Sequence, residues 1–171
     1  MPGSLSHLTR RFFDVLWARP LIESERAAVR HWLNEGERPI FFAQPSVDQR
    51  HGYNAALTVL AAGVDDRTSI RAGLLHDIGK RHARLGVIGR VLATLLILLR
   101  VPLRGRFLAY RDHGEIAAGE LALVGAEPLV IEFARHHHQS RPVMIDARTW
   151  DLLRSADQPP KTLARTHPGI S

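Results

Sequence analysis

Apolar residues recur at intervals of three and four along most of the chain, which is the spacing of an amphipathic helix. No stretch alternates apolar and polar residues over a convincing length, so strands are not predicted. The pattern therefore predicts an all-α fold of roughly six to eight helices. The segments predicted to be helical are residues 21–32, 51–62, 70–78, 87–99, 112–124, 128–138 and 150–157.

Residues with strong local preferences indicate where these helices begin and end. Ser24 is a candidate cap for the first helix, and Gly63 and Gly79 are placed to end the second and the third. The stretch IFFAQPSVDQ, which contains Pro45, is expected to be a short connection between helices.

The chain has 171 residues, which is enough for one domain with its own apolar core. We expect residues 1–45 to form an N-terminal helical extension packed on that core, residues 46–158 to form the main domain, and residues 159–171 to form a flexible tail. The first residues show no clean apolar run with a cleavage signal, which favours a cytoplasmic protein. Cysteine is absent, so any metal must be bound by His, Asp or Glu.

Several histidines and aspartates stand near the ends of the apolar helices, where buried polar groups are costly unless they are paired. One metal centre would give all of them a partner at once. Imidazoles and carboxylates together form a mixed N/O ligand set that suits Fe, Mn, Co, Ni or Zn better than Mg or Ca. The candidate ligands are His51, His76, Asp77, His113, His137, His138 and Asp157.

Two local patterns refine this set. Neighbouring side chains such as those of His76 and Asp77 point about 100° apart on a helix, so the two do not duplicate each other. A carboxylate can bridge two metal ions while the adjacent imidazole binds one of them. In the run of three histidines, His137 continues the apolar face of its helix. We therefore expect His137 to be the first choice as a ligand, His138 the second and His136 the last.

These motifs resemble those of the HD superfamily of metal-dependent phosphohydrolases, which is named for its His-Asp pair. The resemblance covers about residues 48–157 and runs through DQRHGYNAALTVLAAG, AGLLHDIGK, DHGEIAAGELA, ARHHHQ and LLRSADQ. It implies an HD-domain helical bundle with metal ions in its core. The extended signature of the cyclic-di-GMP phosphodiesterase branch is missing, because Gln139 follows the histidine run and no Gly-Tyr-Pro appears. The resemblance therefore supplies no substrate.

The resemblance also implies roles for individual residues, with Asp77 bridging two metal ions. The residues that correspond to ligands of the first ion are His51, His76, Asp77 and Asp157. The residues that correspond to further ligands of the second ion are His113, His137 and His138. Lys80 matches a position that lies near the phosphate in related members.

The reaction expected from this resemblance is hydrolysis of a phosphomonoester or phosphodiester, belonging to a nucleotide or another small metabolite. Water activated by one or two divalent transition metal ions would be the nucleophile, and Asp77 and Lys80 are the residues expected to act in catalysis. The alternative is an HD module that binds a metal or senses a ligand without turnover, at a membrane surface or away from one. A catalytic site keeps an open coordination position, which distinguishes the two.

The net charge of +6 is concentrated in one segment. Between Ile78 and Arg111 there is no acidic residue, and Lys80 is joined by seven arginines. So local a charge does not predict a specific nucleic-acid surface. Three interpretations stay open for the apolar, Arg-rich insertion at about 81–111, and for residues 87–111 in particular. It is a buried hairpin or a contact between copies of the chain, a segment at an anionic membrane surface, or a lid whose arginines reach the substrate phosphate.

Overall fold

The computed structural model describes residues 19–158, and within that range the chain forms nine α-helices, one 3₁₀ helix and no strand. The predicted all-α fold is therefore confirmed. The predicted tail at 159–171 and the first 18 residues of the predicted extension lie outside the described residues. The α-helices are α1 (Glu23–Trp32), α2 (Glu37–Phe42), α3 (Ser46–Ala61), α4 (Arg67–Leu75), α5 (Val87–Leu98), α6 (Gly105–Arg111), α7 (His113–Leu123), α8 (Pro128–His136) and α9 (Ala147–Ala156), and the 3₁₀ helix is Ile78–Ala83.

Three of the predicted helix limits are wrong. Ser24 does not cap α1, because Ile22 holds the cap position and Ser24 already lies inside the helix. The expected connection at 40–49 instead contains the end of α2 and the start of α3. Gly79 does not end a helix, because α4 already stops at Leu75 and Gly79 lies inside the 3₁₀ helix.

Helices α3, α4, α7, α8 and α9 pack around one apolar core. Its fully buried members include Val59, Leu74, Leu121, Phe133 and Leu153. The described part of the predicted N-terminal extension shares this core, since it contributes the buried residues Val29, Leu33 and Phe41. Residues 19–45 are therefore part of the same packed body.

A buried ion-pair network joins α2 and α4 to the start of α8. Arg71 is only 2% exposed and Glu37 only 1%. Nε of Arg71 donates to Oε2 of Glu37 at 2.8 Å, and the guanidinium also pairs with Glu127. Buried charges are tolerated only when they are paired, so this network fixes how the three elements meet.

Glycines allow the helices around the core to approach each other closely. A Cβ atom on Gly79 would meet the carbonyl oxygen of His113, and one on Gly114 would lie 2.8 Å from a carbonyl oxygen of α8. A Cβ atom on Gly52 in α3 would likewise lie 2.5 Å from the carbonyl oxygen of Leu74. A side chain at any of these positions would force one backbone away from another.

Helix α5 packs on this body through a narrow face. Ala93 is its one buried residue, and most of its large apolar side chains are exposed. The interpretation of this segment as a buried hairpin is therefore wrong, while contact with another copy, a membrane or a substrate stays a prediction. Across residues 19–158, the structure contains no helix with the length and apolar character needed to cross a membrane.

The close approach at Gly114 predicts opposite effects for two substitutions in the same helix. We expect Gly114→Ala to lower the free energy of unfolding by about 1–3 kcal/mol, because the new methyl group meets the backbone of α8. Gly119→Ala should raise it by about 0.5–1 kcal/mol, since a Cβ atom there meets nothing within 4 Å and alanine is the better helix former. Urea unfolding of both variants measures the difference.

The two substitutions add the same methyl group to α7, so each serves as the control for the other. Equal unfolding free energies for the two variants would contradict the tight contact between α7 and α8.

Candidate metal centre

The seven predicted ligands come together where five segments of the chain meet. His76, His137 and Asp157 each occupy the C-terminal cap of their helix, α4, α8 and α9 respectively. The C-terminal end of a helix carries partial negative charge, so three such ends in one place favour a cation between them. His113 is the first residue of α7, whereas His51 lies in the second turn of α3 and not at the helix start as predicted.

The first cluster consists of His51, His76, Asp77 and Asp157. Nε2 of His51 lies 3.3 Å from Nε2 of His76, and each of these nitrogens lies 3.2 Å from Oδ1 of Asp157. Oδ2 of Asp77 is 3.5 Å from both nitrogens. The side chain of His51 is 31% exposed and the other three are buried, so solvent reaches the cluster on one side.

The second cluster consists of Asp77, His113, His137 and His138. Nε2 of His113 lies 3.3 Å from Nε2 of His137, and Oδ1 of Asp77 is 3.2 Å from the first nitrogen and 3.4 Å from the second. The ring of His138 packs against that of His137, with 4.0 Å between their centroids. His138 is exposed and the other three are buried, so this cluster too has one ligand within reach of solvent.

Asp77 belongs to both clusters and presents a different carboxylate oxygen to each. Oδ2 faces His51 and His76, while Oδ1 faces His113 and His137. Oδ1 is buried and receives no hydrogen bond within the described residues, a state that costs free energy. A cation between Oδ1 and the two imidazoles would remove that cost. The carboxylate is thus oriented as a bridging ligand has to be.

Three of the imidazoles direct a lone pair into the centre. Nδ1 of His76, His113 and His137 lies 2.9, 2.7 and 2.7 Å from a carbonyl oxygen three residues earlier. A carbonyl oxygen only accepts, so each Nδ1 carries the proton and Nε2 of the neutral ring is an acceptor. Acceptors that converge on a carboxylate need a cation or extra protons among them. A backbone partner on the second ring nitrogen is also typical of histidines that bind metals.

The separations between these atoms fit a small divalent ion. With bonds of about 2.1 Å, neighbouring ligands are about 3.0 Å apart around an octahedral ion and about 3.4 Å apart around a tetrahedral one. The Nε2 and carboxylate oxygen separations in the first cluster lie between 3.2 and 3.5 Å. These separations are compatible with a metal ion in the first cluster, and the separations of 3.2–3.4 Å among Asp77, His113 and His137 are compatible with one in the second.

The pKa values of both aspartates are held well below their usual range. Burial would raise the pKa of Asp77, but the ammonium of Lys80 and the electrostatic influence of the neighbouring His76 outweigh it. Burial of Asp157 is likewise outweighed, here by the close contacts of its carboxylate with the rings of His51 and His76, which lower its pKa. Both carboxylates are ionised at neutral pH, which is the state that binds metals.

The pKa values of the imidazoles differ between the clusters. Burial lowers the pKa of His137 by more than Asp77 raises it. The pKa of His138 is lowered too, first by desolvation of its ring and then by the electrostatic influence of the neighbouring His137. The pKa of His76 shifts the other way: burial would lower it, but the carboxylates of Asp77 and Asp157 outweigh burial and raise it.

A cavity of about 390 Å³ adjoins the centre at Lys80. Nζ of Lys80 lies 2.5 Å from Oδ2 of Asp77, and the same side chain lines the cavity. Burial would lower the pKa of Lys80, but Asp77 raises it further, so the ammonium stays charged. The ten lining residues include four basic side chains, Lys80, Arg81, Arg84 and Arg90, and no acidic one. Anionic groups would be attracted to this cavity.

The structure also separates residues that the sequence places side by side. His136 lies outside both clusters and contacts Gln139 and Glu132 instead, while His137 and His138 lie inside the second cluster. Sequence reasoning gave no role to Gly52 or Gly114, which bring the helices with ligands together. The signal for them is a glycine directly after a candidate ligand, in His51-Gly52 and His113-Gly114.

Metal analysis of purified variants tests the two clusters separately. We expect the wild-type protein, loaded with Mn²⁺, Co²⁺ or Zn²⁺ and desalted, to hold two ions per chain. His137→Gln should remove the ion of the second cluster, and Asp157→Asn that of the first, because each substitution removes a ligand found in one cluster only. Asp77→Asn should weaken both.

His136→Gln is the matched control, since it makes the same change one residue from His137 and outside the clusters. A wild-type protein that holds no metal, or His137→Gln with unchanged stoichiometry, would contradict the assignment.

Comparison with other proteins adds no identification to this geometry. No family model, no curated protein and no solved structure matches the chain. Membership in the HD superfamily therefore stays a prediction from the motifs.

Proposed function

We propose that this chain is a metal-dependent phosphohydrolase that cleaves a phosphomonoester or phosphodiester of a nucleotide or another small metabolite. The observation that carries the proposal is the position of Asp77, shared between two metal-capable clusters beside a cavity lined by four basic side chains. A paired carboxylate-bridged centre and a site for anions are the two parts that hydrolysis of a phosphate ester needs.

The metal ions would be held by the residues of the two clusters, with the identity of the metal open among Fe, Mn, Co, Ni and Zn. When bound, they would supply Lewis-acid polarisation of the phosphate and activation of water at neutral pH. His51 and His138 are the members of the clusters that solvent reaches, so a substrate would approach each cluster past one of these side chains.

Lys80 and Asp77 are the groups of the chain closest to the reaction. Asp77 keeps its charge in spite of burial, so it can hold two cations in fixed positions. The ammonium of Lys80 is charged and lies at the edge between the centre and the cavity. It is placed to offset the negative charge that develops on the phosphoryl oxygens.

The arginines of the cavity would orient the substrate. Arg81 pairs with Glu120 and Arg90 pairs with Asp48, so both guanidinium groups are held in place. Arg84 is exposed and pairs with no carboxylate of residues 19–158, which leaves it able to bind an anionic group of the substrate. A substrate with a second phosphate would use this residue.

A cytoplasmic location stays part of the proposal.

Activity assays test the proposal directly. Protein loaded with Mn²⁺, Co²⁺ or Ni²⁺ should hydrolyse members of a panel of phosphomonoesters, phosphodiesters and nucleotides. Asp77→Asn should reduce turnover to background, because the neutral amide cannot bridge two cations. Release of phosphate or nucleoside is the measurement, and far-UV circular dichroism checks that the variant is folded.

His136→Gln should keep wild-type turnover in the same assays. Metal bound in both clusters without turnover on any substrate would contradict hydrolysis and favour the alternative, a metal-binding or ligand-sensing module.

The cavity predicts a separate effect on substrate binding. Arg84→Ala should raise KM by about tenfold for a substrate with more than one phosphate, since it removes one charge-assisted contact, and leave kcat nearly unchanged. Arg148→Ala, a substitution of an exposed arginine in α9 away from the cavity, should leave both constants unchanged. Equal KM values for the two variants would exclude Arg84 from the binding site.

A further inference from the structure

Helix α5 exposes a continuous apolar stripe. At 100° per residue its exposed apolar side chains fall within an arc of about 120°, and Ala93 and Arg90 lie on the opposite side. Their exposed fractions range from 37% for Val91 to 81% for Ile88. The residues of this stripe are Ile88, Val91, Leu92, Leu95, Leu98 and Leu99.

The opposite side of α5 fixes the direction in which the stripe faces. The guanidinium of Arg90 makes two hydrogen bonds of 2.6 Å with the carboxylate of Asp48 in α3, and Asp48 is buried. Ala93, one turn later, is fully buried. The helix is therefore anchored by this side and cannot turn its leucines inward without breaking a buried ion pair.

An arginine in the left-handed region stands at each end of this helix. Arg84, before α5, has φ +47°, and Arg100, after it, has φ +55°. At Arg100 the N–H of Val101 donates to the carbonyl oxygen of Leu96, the helix-ending motif in which glycine is the usual residue. A side chain with a Cβ atom is unfavourable there. The chain thus has a cationic side chain at a position where the backbone conformation favours glycine.

The charge around the stripe distinguishes between its possible occupants. No acidic residue lies between Ile78 and Arg111, and Arg84, Arg100 and Arg104 are all exposed. In a symmetric contact between two copies, both partners would bring this basic surface to the same interface, and like charges oppose each other there. A partner surface with an apolar interior and negatively charged groups would match both the apolar stripe and the arginines around it.

We propose that the stripe of α5 and the two arginines that follow it, Arg100 and Arg104, dock this protein onto an anionic lipid bilayer. The helix lies in the interface with its leucines among the acyl chains, while the arginines contact lipid phosphates. With 12 residues α5 is shorter than the about 20 that a spanning helix needs, so it lies along the surface. This docking does not depend on the proposed hydrolysis, because the stripe, Arg100 and Arg104 lie outside both metal clusters and outside the lining of the cavity at Lys80.

Flotation of the full-length protein with vesicles tests the docking. The protein should float with phosphatidylcholine vesicles that contain phosphatidylglycerol, and much less with pure phosphatidylcholine or at high salt. The double variant Leu92→Glu with Leu95→Glu should bind at least about tenfold more weakly, because two charges would enter the interface. Leu123→Glu, at an apolar position that is 87% exposed outside the stripe, should float like the wild type.

Arg100 offers a test that separates surface binding from folding. Arg100→Gly should weaken vesicle binding about fivefold while leaving the thermal midpoint unchanged or higher, because glycine relieves the left-handed backbone. Arg100→Lys should keep the binding. A loss of stability in Arg100→Gly, or equal binding by the glycine and lysine variants, would contradict the role given to this residue.

Sedimentation of the same proteins without lipid completes the experiment. A wild-type protein that fails to float, whether monomeric or as a dimer that the Leu92→Glu and Leu95→Glu pair dissociates, would overturn the proposal. Binding that does not distinguish anionic from neutral vesicles would overturn it as well.

Discussion

The cost of burying one carboxylate organises the described part of this molecule. An ionised aspartate in an apolar interior loses its hydration, and only cations or hydrogen-bond donors restore the lost free energy. At Asp77, the ammonium of Lys80 compensates the negative charge at Oδ2. The other oxygen, Oδ1, faces imidazole nitrogens whose lone pairs point towards it. The missing positive charge at that second oxygen is what a metal ion would supply. Helix α4 stops at Leu75, and this break in the helix places Asp77 between the two clusters.

The surrounding backbone positions the ligands around Asp77 through two structural features, each of which occurs more than once. The first is a carbonyl oxygen three residues before each of three histidines, which fixes the ring and its proton. The second is a glycine beside a ligand, as at Gly52 and Gly114, which lets one backbone reach the next. Because ligand and glycine are neighbours in sequence, the same residues that close the packing also set the distance between nitrogen atoms. Packing and ligand geometry are therefore not separable in this centre.

Much of this arrangement could be predicted from the sequence. Helical periodicity is strong in nearly every segment, so the all-α class follows from it directly. The seven candidate ligands could be chosen because polar groups beside apolar helices need a common partner, and the structure brings all seven together. The preference for His137 over His136 follows from the direction of the apolar face.

Other features depend on contacts between residues distant in sequence and could not be predicted. Helix α4 ends at Leu75 with no local signal in the sequence, four residues before the close approach of Gly79 to the backbone of His113. The pairing of Arg71 with Glu37 joins residues far apart in the chain. The exposure of α5 was equally inaccessible, since an apolar run has the same pattern in a buried helix and in one that faces outward.

The shallow packing of α5 has a consequence for how this protein can change over evolutionary time. Its stripe contributes little to the core, so substitutions there are nearly neutral for folding. Around the metal centre, by contrast, a single added methyl group at Gly79 or Gly114 would move a helix. As far as folding is concerned, the chain thus combines a region that tolerates substitution with one that tolerates almost none. Descendants of this sequence can acquire new surface partners at α5 while the chemistry of the centre stays fixed.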